Sequence, residues 1–244
     1  MNNPAYYLAF VPPYKRIAYA PSFGISNYQA VDVNTQKSVT GYLQEINYLS
    51  VRERAGAEII KQLTNRDATI VVDPTLLLSE KQWVEIEKRP DNFDLERYVL
   101  IYMLGFDKKY RKVVENLKSS GYNVVVIPTN PILSKCGISL YAGVEEFLYL
   151  VHHADAVITD SFHGMIFSIV FRKNFYAIKR EDTTHSLTSR IENFLAKVNL
   201  SERCLGVNDI SRLYTITKTN YEKVEDQLNG WIEESRLYLK EALS

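Results

Sequence analysis

From residue 15 onward, short apolar runs alternate with stretches whose apolar residues recur at helical spacing. That alternation predicts an α/β chain with a largely parallel sheet. The run at 17–20 predicts a strand that stops at Pro21-Ser22-Phe23-Gly24. A second strand is predicted at 46–49, a helix over 51–63, and a third strand at 69–72. Asp73-Pro74 ends that third strand, because proline cannot donate to a ladder. Residues 79–97 are polar, contain Pro90, and read as a linker with a short helix around Trp83.

A second series follows. Strand 98–104 ends in Gly105, helix 108–119 is closed by Gly121, and strand 122–127 ends at Pro128. Helix 144–153, strand 156–159, helix 162–171 and strand 175–178 come next. Helix 187–198 carries Leu187, Ile191, Phe194, Leu195 and Val198 on one stripe. The tail from Tyr221 has Val224, Leu228, Trp231, Ile232, Leu239 and Leu243 at helical spacing. Three pieces are therefore expected: a partial Rossmann-like domain over 1–80, a complete doubly wound domain over 95–215, and a C-terminal helix over 219–244. The first has only three strand–helix steps and looks truncated, and its Tyr6-Tyr7-Leu8-Ala9-Phe10 has no obvious partner.

Composition narrows the function more than the fold. Lys plus Arg and Asp plus Glu both count 29, so the 244-residue chain has no net charge. Such a chain has no global field to steer nucleic acid or to coat an anionic membrane, and any affinity for anions must be local. Cys136 and Cys204 are too few for a disulfide framework or a zinc site. No run approaches the roughly 18 apolar residues of a membrane span, and no signal peptide opens the chain, so a soluble cytoplasmic protein is expected.

In open α/β sheets, ligands bind beyond the carboxyl ends of the strands. Three such ends carry unusual side chains. The first is Thr159-Asp160-Ser161-Phe162-His163-Gly164. Asp160 or Ser161 can cap the following helix, whose Phe162, Met165, Ile166, Ile169 and Val170 form a packing stripe. His163 and Gly164 then lie in the first turn, where unpaired N–H groups and the dipole favour an anion, a suitable setting for an acid–base histidine. A surface histidine hydrogen-bonded to Asp160 is an equally good reading. The second end is Ser50-Val51-Arg52-Glu53, a capping box that would put Arg52 at the second helical position, against the dipole. A bound carboxylate or phosphate would offset it, as would a salt bridge to Glu53 or another local acid. The third is Lys179-Arg180, followed by the hydroxyl-rich Thr183-Thr184-His185-Ser186-Leu187-Thr188-Ser189 and by Arg190. This can bind phosphate or be a plain solvated loop. His152-His153 reads as a helix end, and no metal site is expected, because a set with Asp155 lacks an evident further ligand.

Four segments, in order, resemble the polysaccharide pyruvyl transferase family. They are Ile17-Ala18-Tyr19-Ala20-Pro21-Ser22-Phe23-Gly24, Leu49-Ser50-Val51-Arg52-Glu53, Val72-Asp73-Pro74-Thr75-Leu76-Leu77-Leu78, and Ala154-Asp155-Ala156-Val157-Ile158-Thr159-Asp160-Ser161-Phe162-His163-Gly164-Met165-Ile166-Phe167. Ser189-Arg190-Ile191 closes the set. The resemblance implies a GT-B-like α/β fold, with two Rossmann-like domains facing a cleft and a C-terminal helix returning to the first. It implies transfer of the pyruvyl group of phosphoenolpyruvate onto sugar hydroxyls of a surface polysaccharide or its lipid-linked precursor, with no metal or organic cofactor. By position, His163 is the acid–base residue. Arg52 would hold the donor, with Lys179, Arg180 or Arg190 supplying further charge and Ser22, Gly24, Asp160, Ser161, Gly164 and Ser189 lining the substrate. Ser161 stands where many members have an arginine, which implies a less cationic site. The partners implied are phosphoenolpyruvate and a sugar or lipid-linked acceptor, which would bring the protein to a membrane surface. The alternatives are a GT-B glycosyltransferase using a nucleotide sugar and a truncated, non-catalytic binding protein.

Overall fold

A computed structural model describes residues 3–25, 28, 29, 31–105, 109–131, 133–180, 186–206, 209, 213 and 215–244. The chain is α/β and divides into two compact units: Met1–Leu77 with Thr184–Asn193 and Asp226–Ser244, and Leu78–Thr183 with Phe194–Glu225. Residues 184–193, inside the stretch expected to form the second domain, thus group with the first unit.

In the first unit, β1 (Ser50–Val51) pairs in parallel with β2 (Thr69–Ile70), Ser50 opposite Thr69. The strand expected at 17–20 is reduced to a single parallel bridge between Ile17 and Tyr48. The ladder stops because Ala20 takes a left-handed conformation, φ 52°, costly for a residue with a Cβ. Ser50 Oγ spans this kink, donating to Ala18 O at 2.7 Å and accepting from Ala20 N at 3.1 Å. Two helices cover the strands. The sequence reading passed over α1 (Val33–Gln44), which is rich in Asn, Thr, Ser and Val and buries only Val39 and Leu43, a stripe too narrow to read as periodic. Asp32 caps it by accepting from Thr35 N at 2.9 Å. It packs with α2 (Arg54–Thr64) around Ile59 and Ile60. Tyr7 stacks on Tyr42 of α1 at 5.2 Å, so the N-terminal aromatic run does have a partner, although Tyr6 and Phe10 stay exposed.

Between the two units' sheets in sequence lies α3 (Glu80–Val84), the short helix expected around Trp83, started by a capping box of Ser79 and Gln82. The second unit is a six-stranded parallel sheet built from β3 (Val99–Tyr102), β4 (Val124–Val126), β5 (Ile138–Ser139), β6 (Ala156–Thr159), β7 (Asn174–Ile178) and β8 (Cys204–Leu205). Their order is β5-β4-β3-β6-β7-β8. Helices α4 (Lys109–Ser119), α5 (Val144–His152), α6 (Phe162–Val170) and α7 (Ser186–Lys197) connect them. With helices on both faces, β3, β4, β6 and β7 are apolar at nearly every position, as a doubly covered parallel sheet requires. Val99, Ile101 and Met103 pack on Val113, Val114 and Leu117 of α4. On the other face, Tyr102 meets Phe147 of α5, which in turn meets Phe167 of α6. The chain reverses its direction of travel across the sheet between β3 and β6, and their carboxyl ends are where a ligand site is expected.

The last helix, α8 (Glu222–Leu243), buries Val224, Trp231, Ser235, Tyr238 and Ala242. Leu243, expected on the buried stripe, is exposed, and Leu228, Ile232 and Leu239 are only half-buried. Polar groups decide this rotation. Trp231 Nε1 donates to Ile70 O at 3.0 Å, Ser235 Oγ accepts from Val72 N at 2.9 Å, and Tyr238 OH donates to Ala18 O at 3.0 Å. These bonds serve backbone groups at the edge of the first unit's strands. Ser235→Ala should therefore leave the buried Val72 N–H unsatisfied and destabilise the first unit by about 1–3 kcal/mol, measured by urea unfolding of the variant.

Candidate active site

At the carboxyl end of β6 the chain turns through Thr159, Asp160 and Ser161 into α6. Ser161, not Asp160, is the N-cap, its Oγ accepting from Gly164 N at 3.3 Å. Thr159 braces the turn, accepting from Ser161 N at 3.0 Å and donating to Tyr102 O on the neighbouring strand at 2.5 Å. Gly164 is buried against the Thr159 side chain, where an added Cβ would overlap Thr159 Oγ1. Gly164→Ala should accordingly push α6 off the strand end and cost about 1–3 kcal/mol, read from thermal or denaturant melts. His163, the second residue of α6, is exposed at the helix start, its ring 5.7 Å from that of Phe162. The positive end of the α6 dipole thus underlies an exposed imidazole.

Asp160 has a different part. Its side chain is fully buried and collects Leu104 N at 2.6 Å, Gly105 N at 2.8 Å, Tyr110 OH at 2.8 Å and Arg180 Nε at 3.0 Å. This carboxylate fastens three things at the sheet's switch point: the end of β3, the start of α4 and the second residue after β7. Gly105 is required there, since a Cβ would sit 2.9 Å from both Asp160 Oδ2 and Tyr110 OH. The sequence reading used Gly105 only as a strand end and missed Tyr110. Their signal was weak, a glycine and a tyrosine five residues apart with no motif of their own. Arg180, 13% exposed in its side chain, is held by Asp160 with its stem against Gly105, and Lys179 precedes it, half-buried. His163, Ser161, Gly164, Asp160, Lys179 and Arg180 thus lie at the ends of two adjacent strands, β6 and β7. At the carboxyl ends of β3 and β4 a cavity of about 490 Å³ is lined by Tyr102, Phe147 and Phe167, with Pro128, Thr129 and Gly143.

The first unit has its own charged cluster. Ser50 and Val51 are extended in β1, so the expected capping box does not form. The helix begins three residues later than expected, with Glu53 at its N-cap and no side-chain cap bond. Arg52 therefore precedes the helix and does not occupy its first turn. Its Nη1 bonds Asp73 Oδ2 at 2.7 Å and its Nε lies 3.6 Å from Glu53 Oε2, so local acids offset its charge. Glu53, only 6% exposed, accepts from Ser22 Oγ at 2.5 Å, and Arg190 Nη1 donates to the same hydroxyl at 3.4 Å. Gly24, at φ 69°, donates its N–H to Ser22 Oγ at 3.2 Å. Four sequence-distant segments thus converge on a network of two arginines and two carboxylates within one unit. Ser189 lies on α7, but its side chain, like those of Ser186, Leu187 and Thr188, falls outside the described residues. Thr183, Thr184 and His185 do so entirely.

Among the described residues, no helix is long and apolar enough to cross a membrane. Solved structures similar to this chain are glycosyltransferases in name. The glycotransferase of kitacinnamycin is 12% identical, with a TM-score of 0.41, over 84% of this chain and 58% of that one. Phytolacca americana UGT2, complexed with UDP-2fluoro-glucose and pterostilbene, is 12% identical at a TM-score of 0.42, over 85% and 56%. The glycosyltransferase SnogD from Streptomyces nogalater is 10% identical at 0.39, over 78% and 64%. The chain thus spans between 56% and 64% of the length of these structures. Comparison with curated proteins gives no match. A family model does match, over residues 2–182, taking in Arg52 and the turn at His163 alike: the chain belongs to the polysaccharide pyruvyl transferase family.

Proposed function

We propose that this protein transfers the pyruvyl group of phosphoenolpyruvate to sugar hydroxyls of a surface polysaccharide or its lipid-linked precursor. The observation that carries the reading is the joint placement of His163 and Arg180. One is exposed at the start of α6 and the other is fixed by Asp160, at the ends of neighbouring strands. Phosphoenolpyruvate carries a carboxylate and a phosphate, and such a donor needs fixed cations and backbone donors. Arg180 and Lys179 supply the cations and the start of α6 the dipole. With Ser161 where many family members carry an arginine, the site relies more on the backbone N–H groups at the start of α6. Asp160 acts through Arg180 and the turn, and does not touch the substrate. Arg52 and Arg190 are assigned to anion binding by the first unit.

The chemistry moves protons that one imidazole can serve. A sugar hydroxyl adds to C2 of the enol phosphate and gives up its proton as C3 takes one up. Phosphate then leaves, and a second hydroxyl closes the ketal, its proton departing with the phosphate. His163 delivers a proton at C3 and accepts one from an attacking hydroxyl. The cavity beside α6, with its aromatic walls, is assigned to the acceptor sugar. Calorimetric titration tests the donor assignment: phosphoenolpyruvate binds, and inorganic phosphate competes with it. Tight binding of uridine or guanosine diphosphate, with no response to phosphoenolpyruvate, would instead favour a nucleotide-sugar glycosyltransferase.

A further inference from the structure

We propose that Glu87, His152 and His153 bind a divalent transition metal of the zinc class, at a site separate from the one that holds the substrate. The acid nearest to the two histidines in sequence, Asp155, faces Arg97 at 3.4 Å. In its place Glu87 arrives from just beyond α3, 65 residues before His152 in the chain. One oxygen of its carboxylate lies 2.8 Å from His152 Nδ1 and the other 3.1 Å from His153 Nε2. All three ligand atoms lie within 4.8 Å of one another. Bonds of about 2.0–2.2 Å to a tetrahedral ion put ligand atoms roughly 3.4 Å apart, so a zinc ion enters once the two Glu87 contacts open by a few tenths of an ångström and the two histidine nitrogens come to that spacing.

The surroundings hold this geometry. The His152 ring stacks on Phe171 at 4.7 Å and the His153 ring on Tyr149 at 4.1 Å, which fixes both imidazole planes. Lys88 N donates to Glu145 O at 3.1 Å, tying the Glu87 segment to the start of α5. The remaining nitrogen of His152, Nε2, faces Glu80 Oε1 at 3.9 Å. A carboxylate on that side, once it closes to hydrogen-bond distance, orients a ligating imidazole by accepting from its other ring N–H. Two imidazoles and a carboxylate suit Zn²⁺ and leave a fourth position open to water. His153 is 43% exposed in its side chain and His152 25%, so the site can be loaded from solvent. Bound metal would lock the segment after α3 onto the end of α5.

The probe is Zn²⁺ alone, titrated into the chelator-treated full chain and followed by calorimetry. One equivalent should bind. Glu87→Gln and His153→Ala, the latter at an exposed position that leaves folding intact, should each weaken it at least about 100-fold, and Glu80→Gln about tenfold. Co²⁺ in the same site should give a visible d–d absorption that both ligand variants abolish. Absence of binding would overturn the proposal, as would binding that survives both variants. Loss of binding in His163→Ala or Cys136→Ser would overturn it too, because the metal would then lie elsewhere.

Discussion

His163→Ala should lower turnover about 10²- to 10⁴-fold while leaving the folded protein and its affinity for the donor nearly unchanged. The range is that of a positioned general acid–base group. The small structural effect follows from the exposed position of the ring at the start of α6, where Ser161 does the capping and Met165, Ile166 and Ile169 carry the packing. Steady-state kinetics with the donor varied would separate the two quantities. A fall in kcat with a steady KM marks a group used in the transition state, whereas a raised KM alone would demote His163 to a binding residue. An equal loss of melting temperature would show that the side chain is structural.

Asp160→Ala should be the most destabilising single change in the second unit, by about 3–5 kcal/mol. It removes at once the acceptor shared by the Arg180 guanidinium, two backbone N–H groups and the Tyr110 hydroxyl. Asp160→Asn keeps the volume and one acceptor and should lose less. Because Asp160 positions Arg180 without meeting the substrate, the Asn variant should raise the KM for the donor more than it lowers kcat. Urea unfolding and donor kinetics on the two variants measure both effects. If Asp160→Ala proves neutral in stability, the hydrogen bonds assigned to this carboxylate are not those of the native protein.

Much of this was legible in the residues, and the exceptions share a cause. The strands of the second unit could be read because burial on both faces makes Val124–Val126 or Ala156–Thr159 uninterrupted apolar runs between turn residues. The turn at His163 could be read because cap, stripe and glycine are all local. What lay hidden depends on partners far along the chain. Ser50 looked like a helix cap because Glu53 follows at capping-box spacing. Its pairing with Thr69, which local propensity cannot see, extends it and turns its hydroxyl to Ala18 and Ala20. A salt bridge from Arg52 to a nearby acid was one of the two readings, but its partner could not be named because Asp73 is 21 residues away. Helix α8 was rotated from its expected face because Ser235 and Tyr238 serve backbone groups near Val72 and Ala18, which outweighs burying Leu243. The strands β5 and β8, two residues each, carry too little pattern to register.

The central claim, donor chemistry at the ends of β6 and β7, is tested most directly by phosphate release from phosphoenolpyruvate. The folded protein should be assayed with and without a panel of sugar and lipid-linked oligosaccharide acceptors. The account predicts release that requires an acceptor and disappears in His163→Ala. Phosphate release that is absent with every acceptor from a demonstrably folded protein, or that persists unchanged in His163→Ala, would contradict it.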